Sequence, residues 1–191
     1  MRALLYPLFV IVLSAAGVVD RIAVTVGSAV ITESEVVLEN RLAAIMNDQP
    51  LDPGPTARRA AADRLVDQQL LRNEMEIVTF PKPTVQEVDG MLQQFRREHY
   101  PASTAYQSAL QKYGVSEDEL KRHLEWQLRV MRFTDQRFHD PSDLAAGNES
   151  AADRDADGES SSSDVDQQLD AWLKQQRSAT RIEFRQGAFG Q

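Results

Sequence analysis

The sequence contains no cysteine, which excludes thiol catalysis, thiolate metal centres and a disulfide scaffold. Histidine is scarce. His99, His123 and His139 stand far apart and make no HExxH or other ligand spacing, so they read as scattered surface groups. No G-x-S-x-G elbow, P-loop, glycine-rich dinucleotide turn or zinc signature occurs. Carboxylates are plentiful, but acids such as Asp89 and Glu98 fall on solvated helix sides, often near Arg or Lys at helical spacing. They read as surface charges rather than general bases. No catalytic residue, cofactor or metal site is expected. A basic patch is lacking too. The formal net charge is −8, and it is local. Asp140, Asp143, Glu149, Asp153, Asp155, Asp157, Glu159, Asp164 and Asp166 are opposed by Arg154 alone. The rest of the chain is near neutral, without the electrostatic footprint of a nucleic-acid binder.

What is present begins with MRALLYPLFVIVLSAAG. Arg2 precedes an apolar run from Ala3 to Leu13, and the small residues Ser14, Ala15, Ala16 and Gly17 follow. That order is the pattern of a secretory signal peptide over residues 1–16, cleaved after Ala16. The run is short for a bilayer span and Pro7 interrupts it, which disfavours the competing reading of an uncleaved anchor. The chain of 191 residues then suffices for one domain with a real core.

VVDRIAVTVGSAVIT reads as a β-hairpin. Ile22, Val24 and Val26 alternate with more polar or smaller neighbours, and Gly27-Ser28 supplies a Gly-X turn before Ala29 to Ile31. Thr32 and Glu35 form a capping box that opens a helix through Val36, Leu38, Leu42, Ile45 and Met46. A longer helix is expected from about Thr56 to Val78, with Ala62, Leu65, Val66, Leu70 and Ile77 on its apolar side. Pro81 and Pro83 stop it. Thr84 and Glu87 open a helix presenting Val88, Met91, Leu92 and Phe95. Another spans about Ser103 to Tyr113 and ends at Gly114, a natural left-handed cap. Ser116 and Glu119 open the next, with Leu120, Leu124, Leu128, Met131 and Phe138 down one side. The pattern then collapses into an acidic, serine-rich tract too poor in large apolar residues to offset its ordering entropy. VDQQLDAWLKQQR restores an amphipathic helix through Val165, Leu169, Trp172 and Leu173, and RIEF closes as a short strand. A lone strand needs a partner, and the N-terminal hairpin is the economical one. The fold class is mainly α with a small antiparallel β-sheet.

Five segments in this order resemble the SurA-type periplasmic chaperones, specifically their N-terminal chaperone domain. They are VVDRIAVTVGSAVITESEV, RLVDQQLLRNE, PTVQEVDGMLQQF, YGVSEDELKRHLEWQLRVMRFTDQRF and LDAWLKQQRSATRIEF. The resemblance implies a helical body over 17–139 and a C-terminal helix and strand over 165–191 completing it. Relatives usually carry parvulin-type prolyl isomerase domains in between. Here residues 140–164 are the acidic tract, expected to be a disordered linker, whereas a parvulin domain needs on the order of 90 residues. Isomerase activity is therefore not inherited. The implied function is ATP-independent binding of unfolded periplasmic or outer-membrane polypeptides, with no cofactor and no stable membrane insertion once the signal is cleaved. A remnant prolyl isomerase and a dedicated protein-interaction module are the alternatives.

Two further readings concern particular residues. Asp153, Asp155, Asp157, Gly158 and Asp164 scan like a twelve-residue calcium loop. Its last position is Asp rather than Glu, Ser160 stands where an apolar residue is usual, and no second loop exists to pair with it. An acidic linker, at most weakly cation-binding, is the expectation. For client contact, the flexible and aromatic side chains Met46, Met91, Phe95, Tyr100, Tyr106 and Trp126 are the candidates, against the competing reading that residues at helical spacing are simply core.

Overall fold

A computed structural model describes residues 20–138, 154–185 and 187–189, with residues 154–163 described by their backbone alone. The expected leader over 1–16 lies outside the described residues, as does most of the acidic tract. The hairpin forms from β1 (Ile22–Val26) and β2 (Ala29–Thr32), turned by Gly27 at φ +59°, the conformation a Gly-X turn needs at its first central residue. The strict alternation expected for β1 is interrupted. The register shifts between Ile22 and Val24, so Ala23 is buried and Ile22 is exposed. A bulge of this kind re-aims the side chains on one side of it.

Three reciprocal capping boxes set the starts of α1 (Glu33–Met46), α3 (Val85–His99) and α5 (Glu117–Phe138). In each, a Thr or Ser hydroxyl accepts from the backbone N–H three residues on, and the Glu there accepts from the cap's own N–H. The pairs are Thr32 with Glu35, Thr84 with Glu87, and Ser116 with Glu119. Pro55 begins α2 (Pro55–Ile77), where its missing N–H costs nothing. Gly114, at φ +63°, ends α4 (Ser103–Tyr113).

The last helix, α6, runs Arg154–Ala179. This corrects the expected boundary at Val165: the backbone from Arg154 to Asp164 is helical, not a disordered linker and not a calcium-type loop. Helix propagation from the packed half adds one hydrogen bond per residue fixed, which carries it into a polar sequence that composition alone reads as linker. β3 (Ile182–Phe184) then pairs antiparallel with β1, giving the sheet order β2-β1-β3. The fold is mainly helical with a small three-stranded antiparallel sheet, and the sheet joins the two ends of the described chain.

Three apolar clusters hold the body. Leu42, Ile45, Leu92, Tyr106, Leu120 and Leu124 join α1, α3, α4 and α5. Val24, Val26, Val36, Val66 and Leu70 seat the sheet on α1 and α2, closed at one side by Ala188. Leu71, Met75 and Phe133 pack with Leu169, Trp172 and Leu173, docking α6 on α2 and α5. The apolar stripe expected on α5 swerves at its end: Phe133 is buried and Met131 is exposed, because Phe133 turns toward α2 and meets Phe80 edge-on at 5.4 Å.

Candidate functional site

Helices α2 and α3 meet at a corner where the chain has run out of partners. Val78 caps α2, Thr79 turns the chain at φ +52°, and Val85 is the first residue of α3. Arg129 of α5 donates to the carbonyl oxygen of Phe80 at 3.0 Å. Arg137 pairs with Glu74 at 3.1 Å and Arg132 with Glu87 at 2.5 Å. These contacts bring the second half of α5 against the corner and leave four large apolar side chains in water: Ile77 at 79%, Val85 at 71%, Met131 at 53% and Val78 at 49% exposure. Val78 also lines a hollow of about 260 Å³ with Phe80, Phe133, Gln136 and Arg137. Arg132 holds the Glu87 carboxyl down from 4.5 to about 2, with help from the Thr84 N–H.

A second concavity, of about 240 Å³, lies between α1, α2 and α5 over Leu38, Leu42, Leu65 and Trp126. Glu39 lies in its wall, 5% exposed, accepting from Arg64 Nε at 2.9 Å and from Gln68 Nε2 at 3.2 Å. The Arg72 guanidinium sits over the Trp126 ring at 4.8 Å. His123 also lines it and is not the surface imidazole expected from sequence. Burial lowers its pKa, partly countered by the Glu39 carboxylate. Glu35, Leu38 and Glu119 also line a neighbouring hollow of about 490 Å³, with Asp20, Glu33 and Arg41, near the start of α1.

The side chains singled out for client contact do not converge. Phe95 is 5% exposed and Tyr106 is fully buried, so both are corrected from surface candidates to core: they face inward from α3 and α4 and close the largest cluster. Met46, Met91 and Tyr100 are half-buried against the same cluster. Trp126 lines the hollow along α1, and Tyr100 lines a separate one of about 330 Å³ with Arg96, Arg97 and Pro101. The corner formed by Ile77, Val78, Val85 and Met131 was not legible as a site. Ile77 and Met131 continue the apolar stripes of their helices, and only the nearby Pro81 and Pro83 hint that those stripes outrun their packing partners.

Among the described residues no group of three or more His, Asp or Glu side chains is placed to hold a metal ion. No described helix is long and apolar enough to cross a membrane. No protein-family model and no curated protein matches the chain.

Proposed function

We propose that this protein is an exported, ATP-independent chaperone that binds unfolded periplasmic or outer-membrane polypeptides, as its resemblance to the SurA-type chaperones implies. The observation that supports this best is the corner of Ile77, Val78, Val85 and Met131. Large apolar side chains left in water around the α2–α3 turn and on α5, more exposed than Ile22 and Val30 of the hairpin, mark an interaction surface. Aliphatic groups and a flexible methionine present no fixed shape, which suits unrelated client segments. Burying one such side chain is worth roughly 1.5–3 kcal/mol, and ordering a client offsets much of that. Affinities weaker than about micromolar follow, weak enough for release without a nucleotide cycle.

The test is light scattering by several unrelated denatured proteins diluted into buffer with the chain. Suppression of aggregation for most of them is expected. The double variant Ile77→Ser, Val85→Ser, at positions too exposed to support the core, is expected to lose most of it. Protection of a single client only would instead mark a dedicated interaction module, and catalysis of proline isomerisation in a model peptide would mark an enzyme. Either result overturns the proposal.

A further inference from the structure

The two hollows along α1 adjoin, sharing Glu35, Leu38 and Glu119 in their walls, and the two ends of this groove differ in charge. The hairpin end is lined by Asp20, Glu33, Glu35 and Glu119, with Arg41 as the one cation. Arg41 is already engaged, donating through Nη1 to the carbonyl oxygen of Gly114 at 3.2 Å. The acids are held in place. Glu35 and Glu119 each commit Oε2 to a capping box, and Asp20 accepts from the Ser34 hydroxyl. Glu33 makes no hydrogen bond or ion pair among the described residues. The starts of α1 and α5 each contribute about half a positive charge here, so this end keeps roughly two net negative charges. At the other end Arg72 and Arg122 outnumber Glu39 over the apolar floor, so the negative charge is concentrated at the hairpin end.

Resting on the chaperone reading above, we propose that this groove selects client segments that are both cationic and apolar. Lysine or arginine side chains lie over the hairpin end and apolar side chains over Leu38, Leu65 and Trp126. The charge complementarity decides the occupant. An acidic segment meets like charge along the wider hollow, and a purely apolar one leaves the fixed carboxylates facing it without compensation. An ion alone does not fill a hollow of about 490 Å³ whose acids are spread around its rim. The corner at Ile77 supplies adhesion to any exposed apolar stretch, and the groove adds preference among them.

The experiment uses three labelled twelve-residue peptides of one Leu/Ser pattern carrying four Lys, four Glu or neither, with binding read by fluorescence anisotropy. The Lys peptide is expected to bind about fivefold more tightly than the neutral one, and the Glu peptide more weakly. The Lys advantage falls away at high salt. The variant Asp20→Asn, Glu33→Gln removes the preference, bringing the Lys and neutral peptides to the same affinity. Glu33→Gln alone, which breaks no hydrogen bond, reduces it. Equal affinity for the Lys and Glu peptides, or a preference that survives the double variant, overturns this inference and leaves the chaperone reading standing. Failure to bind any of the three, together with failure to suppress aggregation, overturns that reading itself.

Discussion

Arg177 Nε donates to Asp67 Oδ1 at 2.6 Å, and the same guanidinium donates to the Asp63 carbonyl oxygen at 2.8 Å. This fork fastens the end of α6 to α2 and so sets where β3 begins. Arg177→Ala is expected to lower unfolding free energy by about 1–2 kcal/mol in urea titrations, since charge-assisted bonds at a part-exposed site keep only part of their strength. Arg177→Lys is expected to recover less than half, because an ammonium cannot reproduce the planar fork. An unchanged urea midpoint for Arg177→Ala would show the clamp to be idle.

The Glu39–Arg64 pair is lopsided: the carboxylate side chain is 6% exposed and the guanidinium 43%. Removing Arg64 strands a buried charge with Gln68 as its remaining donor, whereas removing Glu39 leaves Arg64 in water. Arg64→Ala should therefore cost about 1–3 kcal/mol, and Glu39→Met less than about 1 kcal/mol. Glu39→Met should also lower the His123 pKa further, read by imidazole NMR titration, because the carboxylate's attraction for the imidazolium is lost.

Glu87 titrates at about 2 in the folded chain, held there first by Arg132. A carboxyl with a depressed folded pKa contributes stability above its unfolded value of 4.5, and that contribution is lost as pH falls toward 2. Glu87→Gln is expected to flatten this part of the acid-unfolding profile, and Arg132→Gln to return the carboxyl toward its ordinary range. A Glu87 titration near 4.5 in the intact protein would contradict the pairing.

Tyr106 is fully buried, yet its hydroxyl makes no hydrogen bond at ordinary distance among the described residues. Burial, and then the neighbouring Glu117 carboxylate, push its pKa up. Tyr106→Phe is expected to be neutral or stabilising by up to about 1 kcal/mol, and Tyr106→Ala to cost about 3–5 kcal/mol. A client-contact role would show the opposite order, with little loss of stability for alanine and a loss of binding.

Local chemistry made much of this fold legible. Each capping box is written in two residues three apart, and Gly27 and Gly114 announce backbone conformations that other residues reach only with strain. What escaped depends on long-range packing. Nothing near Ile22 signals that a bulge exposes it and buries Ala23. Phe95 and Val85 both sit on an amphipathic helix, and only the position of α5 decides that one is core and the other bare. The start of α6 escaped for a different reason, since helix propagation overrides weak propensities such as those of Gly158 and the serine run. The groove along α1 was invisible because its lining residues come from α1, α2, α5 and Asp20 ahead of the hairpin and share no sequence spacing.

β1 is central in the sheet, yet its second neighbour is the last strand among the described residues. A chain emerging N-terminus first during synthesis can form the hairpin early, but one hydrogen-bonding side of β1 stays open until β3 emerges. Closure of so non-local a contact is slow. The sheet thus closes only when β3 arrives, so completion of this body waits on its most sequence-distant strand pairing.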